Sequence, residues 1–428
     1  MKSRIAILCS VFILCTVSLY GCGKNNPTKA AKESDDTERE GASSVEEVPP
    51  EEADTGMTEE IPVTEKIGIL LPSAADDRRW MGDEDAFRDQ LAGAGYDCLA
   101  LYADGNARLQ AEQIEQLLRE DVSAMIIAPV DVWSLSDTLN GLEGLEIPVI
   151  SYDDLIMDTD VIKYFATFDS RQMGHQLASQ AMHRLTIGEN VLPEMKRVHT
   201  AEFFMGDPGD YDGLFFFNGL MEELQPYFED GSLICPSQAV TYEATSVEDE
   251  DPDLVLQRFE TILDEYYKWN EMPDVIFTSN DTYAEALTDW LLEQGHMPGG
   301  PSGWPLICGV GARAEAVGYV AGGYIDMTVF KDNRKLAETA ADLVVTLLSG
   351  EDPEVSNYGQ YDNGRRLIRA IIVDAQTIDR DNYQILIDNG YYDYRELAPV
   401  LQTPVPEMET ESETETETTT QTDERTLS

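Results

Sequence analysis

Ile67-Gly68-Ile69-Leu70-Leu71 is a continuous apolar run between Lys66 and Pro72. A strand with one wet face would alternate polar and apolar residues. A continuous short run reads as a strand covered on both faces, as in the interior of a parallel sheet. The residues that follow support this reading. A helical stretch runs from about Asp83 to Ala94 and ends at Gly95. Tyr96 to Tyr102 reads as the next strand. Asn106 is placed to cap a helix whose Ala111, Ile114, Leu117 and Leu118 share one face. Ala124-Met125-Ile126-Ile127-Ala128 and Pro148-Val149-Ile150-Ser151-Tyr152 are strand runs again. Strand and helix in alternation predict parallel strands joined by right-handed crossovers.

The alternation restarts further along. Arg197 to Phe204, Ile234 to Val240, Asp274 to Ser279 and Pro305 to Val310 read as strands. Leu214 to Gln225, Leu254 to Tyr266 and Tyr283 to Glu293 read as helices between them. One open sheet of this length would be unusual. The predicted fold class is therefore α/β, with two doubly wound parallel-sheet lobes. Ligands bind such sheets outside the carboxyl ends of the strands. The polar residues directly after the strands are thus the site candidates: Asp104, Asp131, Asp153, Asp154, Asp169, Asp207, Asn280 and Asp281.

The flanks have a different composition. Lys2 and Arg4 precede an apolar run from Ile5 to Leu14, and then comes Leu19-Tyr20-Gly21-Cys22. A basic start, a short apolar core and a small residue before the cut describe a secretory signal. Cys after Leu-x-Gly reads as a lipoprotein cleavage site, with residues 1–21 removed and Cys22 lipidated. Residues 22–65 form an acidic tether and 399–428 an acidic tail. Neither carries enough apolar surface to offset the entropy of ordering, so both are expected to be disordered. The chain has 428 residues and a formal net charge of −53. That charge repels nucleic acid phosphates and argues against a nucleic-acid partner. Cys98, Cys235 and Cys308 have no metal or disulfide spacing, and the four histidines show no ligand spacing, so no metal site and no cofactor are expected.

A series of motifs resembles the bacterial sugar-binding proteins of type I periplasmic binding architecture, in particular the xylose-binding and multiple-monosaccharide-binding proteins. Arg79-Trp80, Ser151-Tyr152-Asp153-Asp154-Leu155-Ile156 and Tyr164-Phe165-Ala166-Thr167-Phe168-Asp169 carry it. Phe215-Phe216-Phe217, Asn280-Asp281, Thr328-Val329-Phe330-Lys331-Asp332, Asn363-Gly364 and Asp388-Asn389-Gly390-Tyr391-Tyr392 continue it in order. The resemblance covers Lys66 to Leu397. It implies two lobes joined by a three-segment hinge, closing on a sugar and delivering it to an ABC permease or a membrane sensor. By analogy the crossings fall near Phe168-Asp169, Val310-Gly311 and Thr328-Phe330. The first lobe would be 66–168 plus 312–327, and the second 169–311 plus 328–398.

The resemblance also implies a ligand-binding set. Sugar hydroxyls both donate and accept, Arg offers a planar fork, and aromatic rings stack on C–H faces. Arg79 would donate, Trp80 would stack, and Asp153 would accept from the first lobe. Asn280 and Asp281 would bind from the second, and Asp154, Asp169 and Asp212 complete the candidate set. Asp154 stands where the family has Arg, Val310-Gly311 where it has Gln-Asp, and Asp210-Tyr211-Asp212 where it has Asp-Asn-Asn. The expected cleft is more acidic than the family's. The ligand class stays open between a plain sugar, an amino or otherwise modified sugar, and no small ligand.

Other readings are weaker. Gly309-x-Gly311-x-x-Ala314 is a partial dinucleotide fingerprint but sits late in the alternation rather than in the first βαβ unit. Paired carboxylates are abundant in so acidic a chain and do not argue for a glycosidase. No enzyme is expected. A solute-binding lipoprotein on the extracytoplasmic face of the membrane is the leading reading. A ligand-sensing or protein-interaction receptor on the same fold is the alternative. Cys22→Ser is expected to release the protein from the membrane fraction. Unchanged membrane retention and an unchanged mass of the mature N-terminus would rule the lipid anchor out.

Overall fold

The computed structural model describes residues 65–401, apart from 75–77, 143, 188–196, 249–250, 269–270 and 301–302. The signal segment, Cys22, all of the tether but residue 65, and the tail beyond 401 lie outside the described residues.

The first run of elements is β1 (Lys66–Leu71), α1 (Arg78–Gly93), β2 (Asp97–Tyr102), α2 (Ala107–Arg119), β3 (Ala124–Ile127), α3 (Ser136–Asn140), β4 (Val149–Tyr152) and β5 (Tyr164–Phe168). The second is α4 (Ser170–Arg184), β6 (His199–Phe204), α5 (Tyr211–Asp230), β7 (Leu233–Ile234), α6 (Tyr242–Thr245), α7 (Pro252–Tyr266), β8 (Val275–Thr278), α8 (Asp281–Glu293), β9 (Leu306–Val310), α9 (Ala314–Gly322) and β10 (Met327–Phe330). The chain then returns through α10 (Asn333–Leu348), β11 (Asn357–Asp362) and β12 (Leu367–Val373). It ends with β13 (Gln376–Asp379), α11 (Ile385–Asp388) and α12 (Tyr394–Leu401).

Two sheets result. One has the strand order β11-β12-β5-β4-β3-β1-β2 and the other β13-β10-β9-β8-β6-β7. All pairs are parallel except β11 with β12 and β10 with β13. This is the two-sheet α/β architecture of type I periplasmic binding proteins. The local signals act as expected. Five successive buried residues make β1 an interior strand. Asn106 caps α2 by accepting the amides of Arg108 and Leu109.

The lobe boundaries differ from the expectation. Residues 312–327 belong with the second sheet, because α9 packs on α8, α12, β10 and β13. Residues 333–373 belong with the first, because α10 packs on α1 and β12 lies parallel to β5. The chain therefore crosses at Asp169, at Lys331-Asp332 and at 374–375. The turn at Val310-Gly311 does not cross. The Gly311 amide donates to Val329 (2.8 Å) and the Ala312 amide to the Thr328 hydroxyl (3.1 Å), which tie it to its own sheet. The expected strand from Ile234 to Val240 also shrinks, to β7. Pro236 has no amide to donate, and a turn closes from the Gln238 amide to the Cys235 carbonyl. At the other end, α12 carries the ordered body three residues past 398, because Leu397 is buried against the second lobe.

Helices α4 and α5 meet backbone to backbone. A Cβ on Gly219 would fall on the carbonyl of Arg171, and one on Gly174 on the carbonyl of Phe216. Neither obstacle is a side chain that can swing away. Gly219→Ala is expected to lower unfolding stability by about 1–3 kcal/mol in urea titration. An unchanged midpoint would show that the two helices can separate freely.

Candidate functional site: a cleft between the two sheets

The carboxyl ends of both sheets open onto one cavity of about 810 Å³. From the first lobe it is lined by Arg79 and Asp83 of α1 and by Asp153 and Asp154 after β4. From the second come Asp210 and Asp212 after β6, Ser279 and Asn280 after β8, and Val310 and Gly311 at the end of β9. Lys331 and Asn333 enter from a crossing segment, and Tyr391 and Tyr392 from the turn after α11.

Arg79 and Asp153 form its first-lobe wall. The Arg79 guanidinium donates to Asp153 Oδ2 at 2.5 Å. Asp153 takes a left-handed backbone, φ 65°, which aspartate tolerates better than most residues. Its amide donates to the Ala166 carbonyl, and its own carbonyl accepts from the Thr167 hydroxyl. Burial opposes charge on both partners. The attraction outweighs it, so Arg79 is held above its ordinary range and Asp153 below. Asp83, 1 % exposed, accepts from the buried Tyr152 hydroxyl at 2.9 Å and adds to the field on Arg79.

The remaining carboxylates behave differently. Burial, with Asp153 and Asp210 nearby, pushes Asp154 up to about 7. Burial and the charge of Asp154 raise Asp212 well above the usual carboxylate range. Burial also raises Asp210, against which the amides of Gly213 and Asp212 act as donors. Lys331 is the cation that lowers all three.

Several expected site residues do other work. Trp80 does not line the cavity; it is 8 % exposed in the core, and the Arg79 guanidinium lies over its ring at 4.2 Å. Its position immediately behind Arg79 makes it a support for the donor rather than a stacking surface. Asp169 caps α4 at a crossing by accepting the Gln172 amide (2.9 Å) and does not line the cavity. Asp281 is fully buried beneath the cleft floor. One oxygen accepts from the Thr328 hydroxyl (2.7 Å) and the other from the Arg313 amide (2.8 Å). Its acceptor set is used inside the second lobe, so it shapes the turn after β9 instead of facing the cavity. Asn280, not Asp281, caps α8, with its Oδ1 accepting the Tyr283 amide at 2.9 Å. This also accounts for the partial glycine fingerprint. A Cβ on Gly309 would fall on Asp281 Oδ1, and Gly311 has φ 132°.

The candidate set omitted Asp83, Asp210, Lys331, Asn333 and Tyr391. Asp210 and Lys331 follow β6 and β10 and were within reach of the strand-end rule. Tyr391 lies in a turn whose position no periodicity reports; its ring packs edge-on against Phe330 at 4.5 Å. Asn333 carries a buried Oδ1 without a hydrogen-bond partner among the described residues. Contacts that join the lobes at the cleft's flanks include an ion pair from Arg78 to Glu396 at 2.8 Å, a hydrogen bond from Arg334 to the Asn389 carbonyl at 3.3 Å, and Phe215 against Tyr361 at 5.9 Å.

Residues 67–352 match the model of the periplasmic binding protein domain. The chain belongs to this family. It is 29 % identical over 327 residues to the multiple sugar-binding periplasmic receptor ChvE of Rhizobium radiobacter, covering 76 % of this chain and 90 % of that protein. It is 28 % identical over 337 residues to the D-xylose-binding periplasmic protein of Escherichia coli, covering 78 % and 92 %. Among solved structures, an ABC transporter solute-binding protein from Clostridium phytofermentans with bound β-D-glucose superposes with a TM-score of 0.68. Its identity is 29 %, and the match covers 78 % of this chain and 100 % of that one. The family and fold are those of transport receptors, and this family member is a binding protein, not an enzyme.

Asp281→Ala is expected to destabilise the fold by about 1–3 kcal/mol, since it strands two buried donors. Burial raises Asp281 from 3.8 to about 6. Over that interval the folded state holds more protons than the unfolded one, so the Asp281 contribution falls as pH rises through it and then levels off. Denaturant unfolding of parent and variant across this range measures both effects. Equal stabilities throughout would remove Asp281 from its structural role.

Proposed function

We propose that the protein captures a monosaccharide or a related polar small molecule in this cleft and presents it to an ABC permease, from a lipid anchor at Cys22. The observation that supports this most is the convergence of carboxylates, amides and a guanidinium from both sheets on one cavity. Arg79 donates, Asp153, Asp210 and Asn333 accept, and Asn280 and Ser279 offer hydrogen-bonding groups from the opposite lobe. Tyr391 and Tyr392 supply the aromatic surface that Trp80 does not. The three adjacent crossings allow the lobes to part and close without breaking either sheet. The sugar named in the relatives, and the glucose bound in the similar structure, support the same reading.

A ligand held only by the closed form stabilises it by RT ln(1 + [L]/Kd), about 2.7 kcal/mol at a hundred times Kd. A thermal-shift panel of pentoses, hexoses and amino sugars is expected to contain at least one that raises Tm. Lys331→Ala is expected to weaken binding of a neutral sugar about tenfold to a hundredfold, by removing a charged hydrogen-bond donor. No shift from any sugar in the panel would overturn the reading.

A further inference from the structure

The cleft contains more carboxylates than its own cations satisfy. Asp153 is bonded by Arg79, and the backbone amides of Asp212 and Gly213 at the start of α5 favour the charged form of Asp210. Asp154 and Asp212 have no hydrogen-bond or ion-pair partner for their carboxyl groups among the described residues. They come from opposite lobes, one after β4 and the other from the first turn of α5, and both line the cavity. Asp154 is the charge that weighs most on Asp212.

The groups facing this pair are Asp153, Asp210, Arg79 and Lys331. Arg79 is committed to Asp153. Of the other cations that line the cavity, Arg78 pairs with Glu396, Arg313 with Glu285 and Arg334 with Asp332. Lys331 is left to serve Asp154, Asp210 and Asp212, and it forms no ion pair within 4.0 Å among the described residues. Burial already shields the two unpartnered carboxyl groups from bulk water, and in that setting like charges repel strongly. Both can be ionised at low cost only if something positive sits between them. Among the described residues no group of three or more acidic, His or Cys side chains is arranged to hold a metal ion. Asn333 also lines the cavity, and its Oδ1 has no hydrogen-bond partner among the described residues.

Building on the sugar-binding reading above, we propose that this cleft selects a monosaccharide carrying a protonated amine, seated between Asp154 of the first lobe and Asp212 of the second. An ammonium group gives three donors to two carboxylates and cancels their repulsion, whereas a hydroxyl gives one donor and no charge. In the free protein a proton takes that place on the carboxyl pair, consistent with the upward shift of both groups. The amine displaces this proton; a neutral sugar leaves it in place.

The test is isothermal titration calorimetry of the full chain with D-glucosamine and D-glucose, at a slightly acidic pH where the amine is charged. The two differ by an amine for a hydroxyl. Glucosamine is expected to bind about tenfold or more tightly than glucose. Its heat should vary with buffer ionisation enthalpy, reporting proton release, while that of glucose should not. The isosteric Asp154→Asn and Asp212→Asn variants should each narrow the preference and abolish the proton release. Glucose binding as tightly as glucosamine, or a preference unmoved by both variants, overturns the amine assignment but leaves sugar capture standing. Binding of neither sugar overturns the amine assignment, and failure of the whole sugar panel overturns sugar capture as well.

Discussion

Val373 pairs with Phe168 at the end of the first sheet, and Phe330 pairs with Gln376 at the edge of the second. These two registers place the three crossing segments side by side. A chain that crosses once can swing freely; one that crosses three times through adjacent strand ends has one soft direction. The crossings also fix where each sheet presents its carboxyl ends, because every parallel strand in a sheet shares its neighbours' polarity. The cleft, its depth and the residues that face it follow from that constraint.

Electrostatics then distinguishes this cleft from a generic polar one. Arg79 and Asp153 are a pair whose attraction outweighs the cost of burial, with Trp80 packed behind the guanidinium and Asp83 adding field. Removing Arg79 would leave the mostly buried Asp153 carboxylate without its ion-pair partner, which is costlier than losing a surface pair. Asp154 and Asp212 are the opposite case. Among the described residues these carboxyl groups have no partner, and burial pushes both toward the protonated form. The exposed Arg78–Glu396 pair across the cleft's edge contributes little by comparison.

Much of the fold was legible because its signals are local. The buried run of β1, the Asn106 cap and the alternation of strand and helix each depend on a few neighbouring residues. The family resemblance added Arg79 and Asp212; the strand-end rule brought Asp153, Asp154 and Asn280 to the cavity but not Asp104, Asp131, Asp169 or Asp207. It failed for Asp281 because the rule gives a residue's position along the strand but not its depth. One residue of helical phase decides whether a side chain faces the cleft or the core, and Asn280 and Asp281 fall on opposite sides of that division. Trp80 illustrates the same limit: a large aromatic beside an arginine fits a stacking platform and a core support equally well in sequence.

The sequence by itself determined the α/β class, the two doubly wound units and the acidic character of the strand ends, since periodicity and residue chemistry are properties of short segments. Tertiary structure alone decided which sheet each returning segment joins. Strands β11 and β12 follow α10 in the chain, yet they complete the first sheet rather than the second, because β12 pairs with β5 across some two hundred residues of intervening sequence. It alone decided that Tyr391, Asp154 and Asp212 all face one cavity. Those are outcomes of long-range pairing and of burial, and no short segment carries either.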